Sequence, residues 1–115
     1  MNIVKEKSTE FGIMIHSICT GDKTRGSLNI INQLHRSGTA VGAMIREAEF
    51  AESKKDFIHK MSIAQKEINE SLYWIEILLS KSNENVEEIQ IAQLLAKDIF
   101  FILIAINRKA KKGSS

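Results

Sequence analysis

Apolar residues recur at helical spacing through almost the whole chain. Phe11, Met14, Ile15 and Ile18 mark a first helix from Ile3 or Ser8 to Cys19, because residues three and four apart share one helix face. Thr20-Gly21-Asp22-Lys23 stops it, with Gly21 placed to take the left-handed conformation that closes helices. A short polar link leads to Ser27, where Leu28, Ile31, Leu34, Val41 and Ile45 begin a second helix with one apolar side. Ser53, followed three residues later by Asp56, has the form of a capping box. Phe57, Met61, Ala64, Ile68, Leu72, Ile75 and Leu79 then continue as a single stripe. Ser80 to Asn85 is a polar break, Asn85 with Glu88 repeats the capping signature, and Ile89, Leu94, Ile99, Ile102 and Ile106 carry the last helix. The pattern predicts an all-α chain: one up-down-up-down, antiparallel four-helix bundle over residues 1–112, with a disordered tail at 113–115.

Two stretches carry more than one helix face needs. Ser37-Gly38-Thr39-Ala40-Val41-Gly42-Ala43 puts two glycines inside a helix, where each costs about 1 kcal/mol relative to alanine. Close approach of a neighbouring helix is the expected compensation, ahead of a kink or a gap facing a ligand. The eight-residue run Ile99 to Ile106 is apolar all round, and such a helix must be covered all round. A lone bundle of this size encloses no helix completely, so Phe100, Phe101 and Leu103 are expected on the outside of a monomer, as an interface with further copies.

Composition narrows the picture further. The 115 residues make one domain with 43% hydrophobic residues, no proline and one cysteine. Cys19 therefore has no internal disulfide partner and cannot build a cysteine zinc cluster, which suits a reducing cytoplasm. The N-terminal residues are charged early and show no signal-peptide pattern. The run at Ile99 is short of the roughly 20 residues that span a bilayer. A formal charge of +2 does not by itself imply nucleic acid, but its placement is uneven. Lys54 and Lys55 fall in the first turn of the third helix, where the helix dipole disfavours cations. Arg108, Lys109, Lys111 and Lys112 crowd the end of the last. Copied around an oligomer, these last four would form a ring able to hold phosphate backbones, ahead of which stands the plainer reading of a helix cap and solvated tail. Lys54 and Lys55, for which solubility is the commoner reason, are the other candidate nucleic-acid-binding residues.

Candidate catalytic chemistry is sparse. Asp56 and His59 stand at the spacing of half a di-iron bundle motif, which needs two such pairs and two further inward carboxylates. Glu67 and Glu70, with Glu47 nearby, could perform acid–base work if a pocket separated their pKa values; the plainer reading pairs them with Lys66, Arg46 or another subunit. His16 and His35 are expected at the surface or its boundary. No catalytic, cofactor-binding or metal-binding set is complete. The alternative function is a small bundle metal protein or enzyme using Asp56, His59, Glu67 and Glu70.

From Gln33 to Trp74 the chain resembles a known family. The resemblance rests on Gln33-Leu34-x-Arg36-Ser37, on Gly42-Ala43-x-Ile45-x-Glu47-Ala48, on Glu52 through Met61, on Ile63-Ala64, and on Glu67 through Trp74. Glu10-Phe11-Gly12-Ile13 fits as well. The family is that of proteins encoded in intervening sequences of 23S ribosomal RNA genes, and its "ribosomal" label reflects where some of the genes lie. Met44 and Ala48 depart from its pattern, which commonly has Asn and Gly there. The resemblance implies a four-helix bundle assembled as a homopentamer. It also implies kinship with the accessory variability protein of diversity-generating retroelements, which binds RNA and a reverse transcriptase. The resulting expectation is a non-enzymatic cytoplasmic scaffold that binds RNA or protein, needs no cofactor and inserts in no membrane.

Overall fold

In the computed structural model, residues 2–113 are described. Four helices follow one another: α1 (Asn2–Thr20), α2 (Leu28–Glu49), α3 (Lys54–Leu79) and α4 (Val86–Lys112). Each packs against its two neighbours in cyclic order, α1 on α2, α2 on α3, α3 on α4 and α4 back on α1. This is the antiparallel up-down-up-down four-helix bundle that the hydrophobic period predicts, 47 Å long and about 20 Å across.

Local chemistry fixes the helix starts. Ser27 Oγ accepts the Ile30 N–H at 3.1 Å, and Ser53 Oγ accepts the Asp56 N–H at 3.0 Å. Asp56 reaches back to the Glu52 N–H at 3.2 Å, closing the box one residue upstream of the cap itself. Asn85 is a different case, because its side chain does not cap α4. It donates to Thr24 Oγ1 at 2.7 Å, and Thr24 in turn donates to the Ile18 carbonyl at 2.8 Å. Asn83 binds the Arg25 N–H through Oδ1 and the Leu78 carbonyl through Nδ2. The α1–α2 and α3–α4 links are thereby stapled together. Gly21 needs no left-handed geometry: among the described residues no glycine has a positive φ, and the Gly21 N–H simply continues the helix to the Ser17 carbonyl.

The core holds Phe11, Ile15 and Ile18 from α1, Leu34, Val41 and Ile45 from α2, Met61, Ile68 and Ile75 from α3, and Ile89, Ile99 and Leu103 from α4. Burying a side chain of this kind stabilises by about 1.5–3 kcal/mol, which makes this apolar layer the main force holding the bundle. A few polar groups enter it, most of their atoms hydrogen-bonded. Ser37 and Ser71 hydrogen-bond at 2.9 Å between α2 and α3. Asn107 donates to the Met61 carbonyl at 3.1 Å and to Gln65 Oε1 at 2.8 Å, although its own Oδ1 has no partner.

Several placements differ from the sequence expectation, among them Leu94, which is exposed on α4. Leu28 is exposed because it opens α2, beyond the reach of its neighbours. On α3, Leu72 and Leu79 are half-buried, and the adjacent Ser71 and Leu78 fill the core positions. On α4, Leu103 is fully buried at 0% exposure, so it belongs to the monomer core and not to an outer interface. The phase is set by Ile99, Leu103 and Asn107, spaced by four residues, which all point inward. Gly113 closes α4 by donating to the Lys109 carbonyl, and the rest of the expected tail, Ser114 and Ser115, lies outside the described residues.

Candidate nucleic-acid interface

The antiparallel order places the start of α3 and the end of α4 at the same pole of the bundle. There the two basic groups of the sequence meet. Lys54, Lys55 and Ile58 from α3 and Lys111 and Gly113 from α4 line a shallow cleft of about 560 Å³. Gly113 lies so close that a Cβ there would sit 3.2 Å from Lys54 Nζ. Arg108, Lys109 and Lys112 decorate the same helix end without lining the cleft.

Two effects of opposite sign act at this pole. Lysines in the last turn of α4 offset the negative end of its dipole, whereas Lys54 and Lys55 add to the positive end of α3. The concentration of positive charge is therefore costly on the α3 side. Asp56, in the same first turn, offsets part of it. Glu52 and Asp56 line a separate depression with Arg46, Glu47 and Lys60. There Lys60 donates to Glu47 at 2.9 Å, and that hydrogen bond with the carboxylate's charge raises the Lys60 pKa above its ordinary value.

The second surface of interest is the outer face of α4. Ile91 is 57% exposed, and Leu94 and Phe101 are each 67% exposed. These residues fall three and seven positions apart, so they share one outward stripe. Phe100 is half-buried beside Phe101, with ring centroids 5.9 Å apart. Of the three interface residues expected from sequence, Phe101 is fully available, Phe100 partly, and Leu103 not at all. Ile91 and Leu94 were hidden from sequence reasoning because Leu94 fits the apolar period as well as a core residue does. By length and mean hydropathy, α4 passes the test for a helix able to cross a membrane. Core helices pass it too, and α4 buries Ile89, Ala92, Ala96, Ile99, Leu103 and Asn107 in the bundle.

The carboxylates of α3 have a tertiary partner that sequence did not supply. Arg36 on α2 bridges Glu67, at 2.8 Å, and Glu70, and Glu70 also accepts the Trp74 indole N–H at 3.1 Å. Among the described residues, Lys66 and Arg46 take no part in this pairing. Asp56 serves the α3 cap, and His59 is exposed one turn further on. The set Asp56, His59, Glu67 and Glu70 is thus not gathered into a site, and no group of three or more His, Cys, Asp or Glu among the described residues could hold a metal ion. His16 and His35, in contrast, come together across α1 and α2.

The basic pole and the apolar outer stripe thus belong to a small all-α protein, a single four-helix bundle. A family model described as "23S rRNA-intervening sequence protein" matches residues 1–105, and the chain belongs to that family. Among solved structures it is similar to a protein of unknown function from the S23 ribosomal protein family of Bacteroides thetaiotaomicron. The two share 38% identity and a TM-score of 0.79, over 90% of this chain and 97% of that one. No protein of curated function matches significantly.

Proposed function

We propose that this chain is a non-enzymatic scaffold that assembles as a homopentamer in the cytoplasm and holds RNA phosphates on its basic pole. The observation that carries this reading is the convergence of Lys54, Lys55 and Lys111 from two helices on one cleft, with Arg108, Lys109 and Lys112 around it. Rotational assembly through the α4 stripe repeats that pole in each subunit, so that a modest charge per chain becomes a cationic ring. A nucleic-acid enzyme such as a reverse transcriptase is the protein partner suited to such a ring. The alternative, a metal protein or enzyme using Asp56, His59, Glu67 and Glu70, is the weaker reading because Asp56 serves a cap, Glu67 and Glu70 an Arg36 bridge, and His59 is exposed apart from them.

The test is binding of a structured RNA, followed by fluorescence anisotropy across a salt series. Affinity should fall steeply with salt, and Lys54→Gln, Lys55→Gln and Lys111→Gln should each reduce the salt slope by about one phosphate contact. Lys66→Gln and Lys97→Gln, exposed but away from the pole, should leave it unchanged. Absence of RNA binding at low ionic strength would remove the nucleic-acid role and leave a protein scaffold.

A further inference from the structure

His16 on α1 and His35 on α2 face each other with Nδ1 and Nε2 3.0 Å apart and ring centroids separated by 5.1 Å. The close approach of these helices has a visible cause. A Cβ on Gly38 would sit 2.7 Å from Ile15 Cγ2, and one on Gly42 would sit 3.4 Å from the Ser8 carbonyl oxygen. The glycines let α1 and α2 meet, and the histidines are the next pair along the same seam. His16 is exposed and His35 half-buried, so the pair can be reached from solvent.

We propose that His16 Nδ1 and His35 Nε2 form a two-imidazole chelate for a late first-row divalent cation such as Zn²⁺, Ni²⁺ or Cu²⁺, with solvent completing the coordination. The distances fit. With metal–nitrogen bonds of about 2.0–2.1 Å, two imidazole nitrogens lie about 2.9 Å apart at a right angle and about 3.3 Å apart at the tetrahedral angle. The 3.0 Å observed falls inside that range, so a small pivot of the rings is enough. Imidazole is a ligand these ions favour. The charged neighbours do not oppose a cation. Arg36, next to His35, is turned to Glu67 and Glu70, and Arg46 donates to Thr9, about two helical turns from His16.

Binding requires both facing nitrogens to offer lone pairs. In the free protein one of them carries the proton of the shared hydrogen bond. On binding, that ring changes tautomer and its proton moves to its other nitrogen, so two neutral imidazoles remain neutral. The bound ion then replaces a single hydrogen bond with two coordinate bonds between α1 and α2. This inference is independent of RNA binding and of subunit number.

The test is titration of the untagged, metal-free protein with Zn²⁺ and Cu²⁺, read by calorimetry and, for Cu²⁺, by the nitrogen hyperfine pattern in electron paramagnetic resonance. One equivalent should bind per chain, with two equivalent nitrogens on Cu²⁺. Loss of a metal's outer-shell partner alone costs about 10–100-fold in affinity, so His16→Gln and His35→Gln should each weaken binding by at least about tenfold. Glutamine can keep a hydrogen bond across the seam, which separates loss of ligation from loss of packing. His59→Gln, on α3, should bind as the wild type does. Unchanged affinity in either seam variant, a single-nitrogen Cu²⁺ spectrum, or no stoichiometric binding overturns the proposal.

Discussion

Gly38→Ala sets two well-known effects against each other at one atom. Replacing glycine by alanine in a helix interior gains about 1 kcal/mol in propensity. At position 38, however, the new methyl group would lie 2.7 Å from Ile15 Cγ2, 3.0 Å from Cγ1 and 3.1 Å from Cβ. Ile15 is completely enclosed in the core, and its Cβ cannot swing aside without moving α1. Overpacking of this kind costs about 1–3 kcal/mol, so the net change should be a destabilisation of up to about 2 kcal/mol. Gly12 supplies the internal control. A Cβ there meets nothing closer than the Gly38 carbonyl oxygen at 4.0 Å, so Gly12→Ala should stabilise by up to about 1 kcal/mol. Urea unfolding of both variants, at one protein concentration, should separate their midpoints in opposite directions from the wild type with little change in slope. If Gly38→Ala proves as stable as Gly12→Ala, close helix approach is not what the α2 glycine serves.

Two further outcomes follow from buried polar groups. Asn83→Ala removes the bonds from Asn83 to the Arg25 N–H and the Leu78 carbonyl, at a cost of about 1 kcal/mol measurable by thermal unfolding. Burial pushes the Cys19 thiol up to about 11 from an ordinary 9.0, so native protein should react slowly with thiol reagents at pH 8 and rapidly once unfolded. The folded state holds this proton more tightly. Its contribution to stability is therefore complete below pH 9.0 and lost as pH rises toward about 11. Equal labelling rates in folded and unfolded chains would contradict the burial of Cys19.

Local signals were legible wherever local chemistry decided the outcome. Ser53 and Asp56 formed their cap because both partners lie within one turn. The same signature at Asn85 and Glu88 failed because Thr24, 61 residues away, captures the Asn85 side chain. Hydrophobic period gave the number and order of helices, but inside the uniformly apolar run at Ile99 it could not give their phase. There the polar Asn107 points inward and Phe101 outward, an inversion that hydropathy cannot express. The topology alone brought Lys54 and Lys55 to the pole of Lys111. The meeting of His16 with His35, and of Arg36 with Glu67 and Glu70, depends on which helices are neighbours and how closely glycine lets them approach.

The central claim is that the outer face of α4 is covered by another copy of the chain, multiplying the basic pole. Sedimentation velocity of the wild type and Phe101→Asp tests it directly, since Phe101 is 67% exposed in the single chain and its replacement leaves the core intact. The account predicts a pentameric mass for the wild type and a shift to smaller, still helical species for the variant. A wild type that sediments as a monomer, or a variant whose mass does not change, would contradict it.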